Sequence, residues 1–255
     1  MVLFALTVGA QEKKIIYLAS NGEDTNPGTK EKPLASLTAA RDLIREFETQ
    51  DTVLVKIAPG DYYMTAPLKL SIKDSVPVIF EGMESNVTFY GGIPVTNWEK
   101  MTNGLWRAFI PQVHESGLSF EQFFVNGKRA IRARTPNKGF FQVENTWEQI
   151  LHRGKGRIPE FAVQKIYLKP GDVSLLQNER PEDVKNTMLT FYHKWDVTRK
   201  YIDHFDRDSS IVHIRGNGMQ PWNRINNISK YFIENVASAL DAPGDWFLKN
   251  DGYVY

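Results

Sequence analysis

The sequence predicts an all-β protein with a short capping helix near its start. Short strand-like runs follow one another from residue 52, separated by turn residues and with no room for crossover helices. Asn126-Gly127 stands between the β-prone runs FEQFFV and KRAIRAR and is the strongest hairpin signal in the chain. Helical spacing shows in residues 36–47, with a second instance in residues 230–240.

The first strand is expected at Ile15–Ala19, running into the turn-rich stretch Ser20–Thr29. Its Asp and Asn residues do not match the ligand ladder of a calcium loop, so an Asx-rich surface turn is expected. Ser36 is placed to cap a helix with Leu37, Ala40, Ile44 and Phe47 on one face and Thr38, Arg41, Asp42, Arg45 and Glu46 on the other. Thr52–Ala58 alternates as a strand with one buried face and ends in a tight turn at Pro59-Gly60-Asp61-Tyr62. A helix closing the end of a sheet stack, followed by a first strand, is the natural beginning of a solenoid. Leu68–Ile72, Val76–Glu81 and Val87–Tyr90 continue as strands, either an antiparallel meander or coils of a parallel β-helix, and spacing leaves both open.

From Ile93 the strands are better separated: Ile93–Trp98, Leu105–Ile110, Glu121–Val125, Lys128–Arg134, Gln164–Leu168, Phe191–Val197, Lys200–Phe205 and Ser210–Ile214. This block reads as an antiparallel sandwich or barrel, with Glu144–Glu160 as an exposed loop. Lys230–Leu240 has helical spacing, and Trp246–Leu248 with Tyr253–Tyr255 reads as a hairpin that stops partway, so the parent protein is expected to continue.

Composition narrows the function. The 255 residues carry 31 basic and 30 acidic side chains, a net charge of +1 that gives no nucleic-acid footprint. With no cysteine, disulfides, thiolate metal sites and thiol nucleophiles are excluded. No HExxH, phosphate loop or GxSxG elbow is present, so no cofactor and no metal are expected. The apolar run MVLFALTVGA is too short to span a bilayer. With Val8-Gly9-Ala10 before Gln11 it reads as a signal-peptide remnant lacking its basic start, which places the protein in a secreted, periplasmic or cell-surface setting. Asn86-Val87-Thr88 and Asn227-Ile228-Ser229 match a glycosylation acceptor but are discounted as a short pattern.

The segments YLASNGEDTNPGTKEKPLASLTAARDLIR, VKIAPGDYYMTAPLKL, FFVNGKRAIRARTPNKG and YFIENVASALDAPGDWFL together resemble the amino-terminal third of secreted right-handed parallel β-helix proteins of the pectate-lyase-like superfamily. The sequence is most similar to glycoside hydrolase family 141, which contains α-L-fucosidases and xylanases of plant cell-wall polysaccharides. The resemblance implies a helix-capped β-helix interrupted by a β-sandwich, divided here as 1–10 signal remnant, 11–92 cap and first coils, 93–225 insertion and 226–255 return to the β-helix. It also implies catalytic carboxylates beyond residue 255, so no catalytic residue is assigned, and a polysaccharide or oligosaccharide partner. A polysaccharide lyase on the same scaffold and a non-catalytic carbohydrate-binding or surface protein are the alternatives.

Within the chain, His193, Trp195 and Arg199 are the candidate substrate-binding residues: an indole for stacking on a sugar face, an imidazole on the same strand face, and a nearby cation. The acidic cluster Asp196, Asp203, Asp206 around His204 reads first as turn chemistry. Lys128, Arg129, Arg132 and Arg134 form a basic stripe suited to sugar carboxylates, or else a solvated strand face. Trp222-Asn223-Arg224 sits at the junction of the insertion and the returning solenoid and has no partner visible in sequence.

Overall fold

The structure, a computed structural model, describes residues 14–48 and 51–255. The expected signal-peptide remnant at residues 1–10 lies outside them. The described residues are mostly β and fall into two compact units, one ending at Pro94 and one spanning Val95–Tyr255.

The first unit holds β1 (Ile15–Leu18), α1 (Leu37–Ile44), β2 (Val53–Ile57), β3 (Gly60–Tyr63), β4 (Val78–Gly82) and β5 (Val87–Tyr90). All its ladders are parallel: β1–β2–β4 form one sheet and β3–β5 another. Val53 pairs with Val78 and Gly60 with Val87, offsets of 25 and 27 residues, so consecutive strand pairs stack coil upon coil. Tyr62 stacks on Phe89 inside the stack and Tyr63 on Tyr90 at its surface, with centroids 4.9 and 5.1 Å apart. The Ser36 Oγ accepts from the Ala39 amide at 3.1 Å, the N-cap expected from sequence. Asp24 in the Asx-rich turn accepts from the Ala35 and Ser36 amides, which fixes the approach to the helix. Ala40 and Ile44 of α1 pack on Ile16, Leu18, Val53, Val55 and Ile57.

The second unit contains β6 (Glu99–Lys100), β7 (Trp106–Phe109), α2 (Pro111–Ser116), β8 (Phe124–Val125), β9 (Lys128–Arg129), β10 (Ile131–Arg132), β11 (Arg134–Thr135) and β12 (Phe141–Gln142). It continues with β13 (Asn145–His152), β14 (Phe161–Tyr167), α3 (Pro181–Val184), β15 (Met188–His193), β16 (Asp196–Tyr201), β17 (His204–Asp206), β18 (Ile211–Gly216), β19 (Lys230–Glu234), β20 (Asp245–Trp246) and β21 (Tyr253–Val254). Two antiparallel sheets face one another: β13–β14–β18–β17, and β11–β19–β15–β16 with β12 also on β19. Ile166, Val212 and Ile214 of the first meet Leu189, Phe191, Tyr231 and Ile233 of the second in one core. The sequence left a sandwich or a barrel open for this block, and the two facing antiparallel sheets form a sandwich.

Several expectations are corrected. Leu68–Ile72 is not a strand; Leu70 and Ile72 are exposed, and Asp74 accepts from the Ser71 amide and hydroxyl in a turn. Gly60–Tyr63, expected as a turn, is a strand entered by Gly60 at φ 151°. Ile93–Trp98 lies outside any strand, and of Glu121–Val125 only Phe124–Val125 pairs. Residues 145–152, expected in a loop, form the longest strand of the sandwich. Lys230–Glu234 is a strand rather than helix, followed by one 3₁₀ turn at Ala237–Ala239. Its run Tyr231-Phe232-Ile233 is buried on both faces, Tyr231 and Ile233 in the core between the sheets and Phe232 under Arg134, Phe140 and Tyr192, and a continuous apolar run does not distinguish a helix from a central strand. The expected hairpin of Trp246–Leu248 with Tyr253–Tyr255 does form, Phe247 and Tyr255 exchanging backbone hydrogen bonds, while β20 and β21 also pair with β10 and β7 within the second unit. Among the described residues no helix is long and apolar enough to cross a membrane.

Candidate functional site

The site is built on the β15–β16 hairpin. His193 pairs with Asp196 across a two-residue turn, Lys194-Trp195, in which Lys194 takes φ 37°. The expected single strand through Val197 is therefore broken, and His193 and Trp195 do not share a strand face. The turn instead throws the indole into solvent, where Trp195 is 70% exposed.

Along β15 the side chains alternate. Leu189 and Phe191 point into the core between the sheets, while Thr190, itself fully buried, and Tyr192 point to the opposite face. Tyr192 lies directly across from Lys230 on β19 and from Val197 on β16. Phe140 tilts against Tyr192 at 4.9 Å, and both reach Phe232, at 6.2 and 6.0 Å. The Arg134 guanidinium covers the Phe232 ring at 3.7 Å and donates to the Pro136 and Gly139 carbonyls. Burial pushes its pKa down, opposed by the Glu234 carboxylate, which accepts from the Thr190 hydroxyl at 2.7 Å.

Above this cluster opens a groove of about 690 Å³, with Phe140, Tyr192 and Trp195 as its aromatic surface and Lys194, Asp196 and Lys230 as charged lining residues. His193 lines it while nearly buried, its Nε2 2.8 Å from the Thr198 hydroxyl. Asp196 accepts from the Val197 amide at 2.8 Å and from Gln220 Nε2 at 2.9 Å. Through Gln220 the groove is tied to the segment 217–225. That segment is anchored on Glu148, whose carboxylate accepts from the Met219 amide and Gln164 Nε2 and lies 3.3 Å from Arg224. This is the partner that sequence did not supply for Trp222-Asn223-Arg224. Asn223 is buried, and Trp222 lies under the Arg157 guanidinium at 4.4 Å.

The structure brings His193 and Trp195 to the groove and leaves Arg199 apart, 3.2 Å from Glu121. The basic stripe is not one strand: Lys128-Arg129 belongs to the Asn126-Gly127 hairpin, while Arg132 is buried over Trp246 and donates to the Phe120 carbonyl. The acidic cluster is engaged, with Asp203 on Arg215 at 2.9 Å. Asp206 accepts from the Asp208 and Ser209 amides, and hydrogen bonds from Ser209 hold its pKa below the ordinary value. Phe140, Tyr192 and Lys230 were missed in sequence, because only strand register places them beside Trp195. Among the described residues no three His, Cys, Asp or Glu side chains are grouped to hold a metal ion.

Residues 103–255 match the family described as the GH141 insertion domain. The chain belongs to that family. Of known relatives, the "Uncharacterized protein YwoF" of Bacillus subtilis (strain 168) is 30% identical over 115 residues, 45% of this chain and 24% of that protein. A solved structure titled "Glycoside hydrolase" superposes with a TM-score of 0.72 at 22% identity, covering 94% of this chain and 42% of the other. That likeness is one of fold. The chain thus spans 24% and 42% of the two proteins' lengths. In this GH141 insertion domain both facing sheets and the groove fall inside the matched residues.

Proposed function

We propose that the chain is the amino-terminal part of a secreted glycoside hydrolase acting on plant cell-wall or related polysaccharide, in which the insertion domain supplies a glycan-contact groove. The observation that carries this is the exposed indole of Trp195 beside Tyr192 and Phe140, with hydrogen-bonding and charged side chains around them. Exposed aromatic faces bind the apolar faces of sugar rings, and the surrounding polar groups fix orientation. Hydrolysis takes two carboxylates held across the scissile bond. Asp203 and Asp206 are occupied by Arg215 and by turn amides. On this reading neither is free to serve, and the catalytic pair is expected in the parent protein beyond residue 255, as the resemblance to family 141 implies.

The parallel, coil-on-coil pairing of the first unit supports its being the start of a right-handed parallel β-helix capped by α1. Export rests on the apolar run at residues 1–10.

The test is titration of the purified 255-residue chain with xylo-, fucosylated and pectic oligosaccharides, read by tryptophan fluorescence and calorimetry. Binding that is lost in Trp195→Ala, with thermal stability unchanged because the ring is already in solvent, supports the groove. Equal binding by Trp195→Ala removes it. Measured turnover by the chain alone refutes the placement of the catalytic pair.

A further inference from the structure

The charges around the groove identify the kind of glycan it takes. Lys194 and Lys230 both line it, at opposite ends of the Tyr192 side chain's surroundings: one opens the turn two residues after Tyr192, the other sits directly across the ladder from it. Residues directly opposite in an antiparallel pair point to the same face with Cβ atoms about 5 Å apart, so Lys230 and Tyr192 emerge side by side on the groove face. Among the described residues neither ammonium has an ion-pair or hydrogen-bond partner. Arginines elsewhere in the chain are mostly matched, as Arg45 is to Asp74, Arg107 to Glu99, Arg199 to Glu121 and Arg215 to Asp203.

The opposing charge in the lining is a single carboxylate, held by neutral donors. Asp196 is the acidic residue of the groove lining, and each of its carboxylate oxygens accepts a hydrogen bond, from the Val197 amide and from Gln220. Glu234, behind the aromatic wall, accepts from Thr190 and lies near the Arg134 guanidinium. Two lysines against one carboxylate, beside an exposed aromatic surface, leave the groove lining with a positive local potential.

We propose that the groove binds an anionic glycan, one whose sugars carry carboxylate or sulfate groups. A ring stacked on Trp195 and Tyr192 presents its acid group to Lys194 or Lys230 as a charge-assisted hydrogen bond. The proposal rests on the glycan reading of this groove and adds to it the sign of the ligand's charge. Because the groove is open, the contact is partly solvated and weakens as salt is raised.

The experiment uses the full chain and three probes: oligogalacturonate, the same oligomer fully methyl-esterified, and a sulfated galactan oligomer. The free acid is expected to bind on the order of tenfold tighter than the ester, the ratio shrinking as salt rises. Lys194→Ala with Lys230→Ala is expected to abolish that ratio while leaving the melting temperature unchanged, since both side chains are exposed. Binding of the sulfated oligomer assigns the acid group as generic, and its failure assigns it as carboxylate. Equal affinity for free acid and ester, or a preference that survives the double substitution, overturns the proposal while the glycan site stands. If none of these probes nor neutral xylo-oligosaccharides bind, the glycan reading itself falls.

Discussion

Replacement of Glu148 by alanine tests what holds the segment 217–225 against the groove. The Glu148 side chain is 1% exposed, and it accepts from Gln164 Nε2 at 2.8 Å and from the Met219 amide at 2.6 Å. Gln164 Nε2 keeps the Asn217 carbonyl at 3.2 Å after the substitution, so it loses a bond worth about 1 kcal/mol. The Met219 amide loses its side-chain acceptor, and an unsatisfied buried donor costs about 1–3 kcal/mol. The ion pair adds less than about 1 kcal/mol, because Arg224 is 47% exposed and the pair is screened by solvent. Loss of the buried methylenes adds about 1 kcal/mol. Glu148→Ala is thus expected to destabilise the second unit by about 3–6 kcal/mol, overlapping the range of about 3–5 kcal/mol for breaking a buried charged contact. Glu148→Gln retains one acceptor oxygen and is expected to cost only about 1 kcal/mol. Urea unfolding followed by tryptophan fluorescence isolates this unit, since all six Trp residues lie at or after Trp98. An alanine variant within about 1 kcal/mol of the parent, or a glutamine variant as damaged as the alanine one, refutes the hydrogen-bond account.

Other outcomes follow from the same structure. Arg45 holds the Asp74 carboxyl well below its ordinary value of 3.8, so its contribution is present above that pH and is lost as pH falls through and below it. Asp74→Asn is expected to flatten the acid limb of first-unit stability, read by far-ultraviolet circular dichroism. Burial, with His204 and Lys165 nearby, pushes His213 down from 6.5; it too stabilises above that pH and loses its contribution below it, so His213→Gln is expected to reduce the stability loss between neutral and mildly acid pH. Gly127→Ala is expected to cost about 1 kcal/mol through its φ of 72° alone, as the added methyl meets open space; an unchanged urea midpoint contradicts this. Phe191→Ala, at a fully buried core position, is expected to cost about 3–5 kcal/mol by calorimetry.

Local chemistry was legible wherever a few neighbouring residues decide the outcome. Ser36 caps its helix because its hydroxyl reaches an amide three residues on, and Asn126-Gly127 turns the chain because both residues adopt positive φ, 51° and 72°. Alternation in Thr52–Ala58 read correctly because β2 buries one face. The same reasoning failed at Lys230–Leu240, since a strand buried on both sides shows no period of two. It failed again at Phe191–Val197, where nothing local marks the turn at Lys194-Trp195.

The sequence by itself determined that this chain is mostly β, where its helix is capped and where its sharpest hairpin turns. Tertiary structure alone decided that the first strands pair in parallel, that Lys230 stands across from Tyr192, and that Arg199 is bound to Glu121 instead of joining Trp195. The physical reason is sequence distance. Capping and turn bonds span two to four residues and can be read in a window. Phe140, Tyr192 and Lys230 meet only once three strands are in register, a geometry set by the shared core of two sheets.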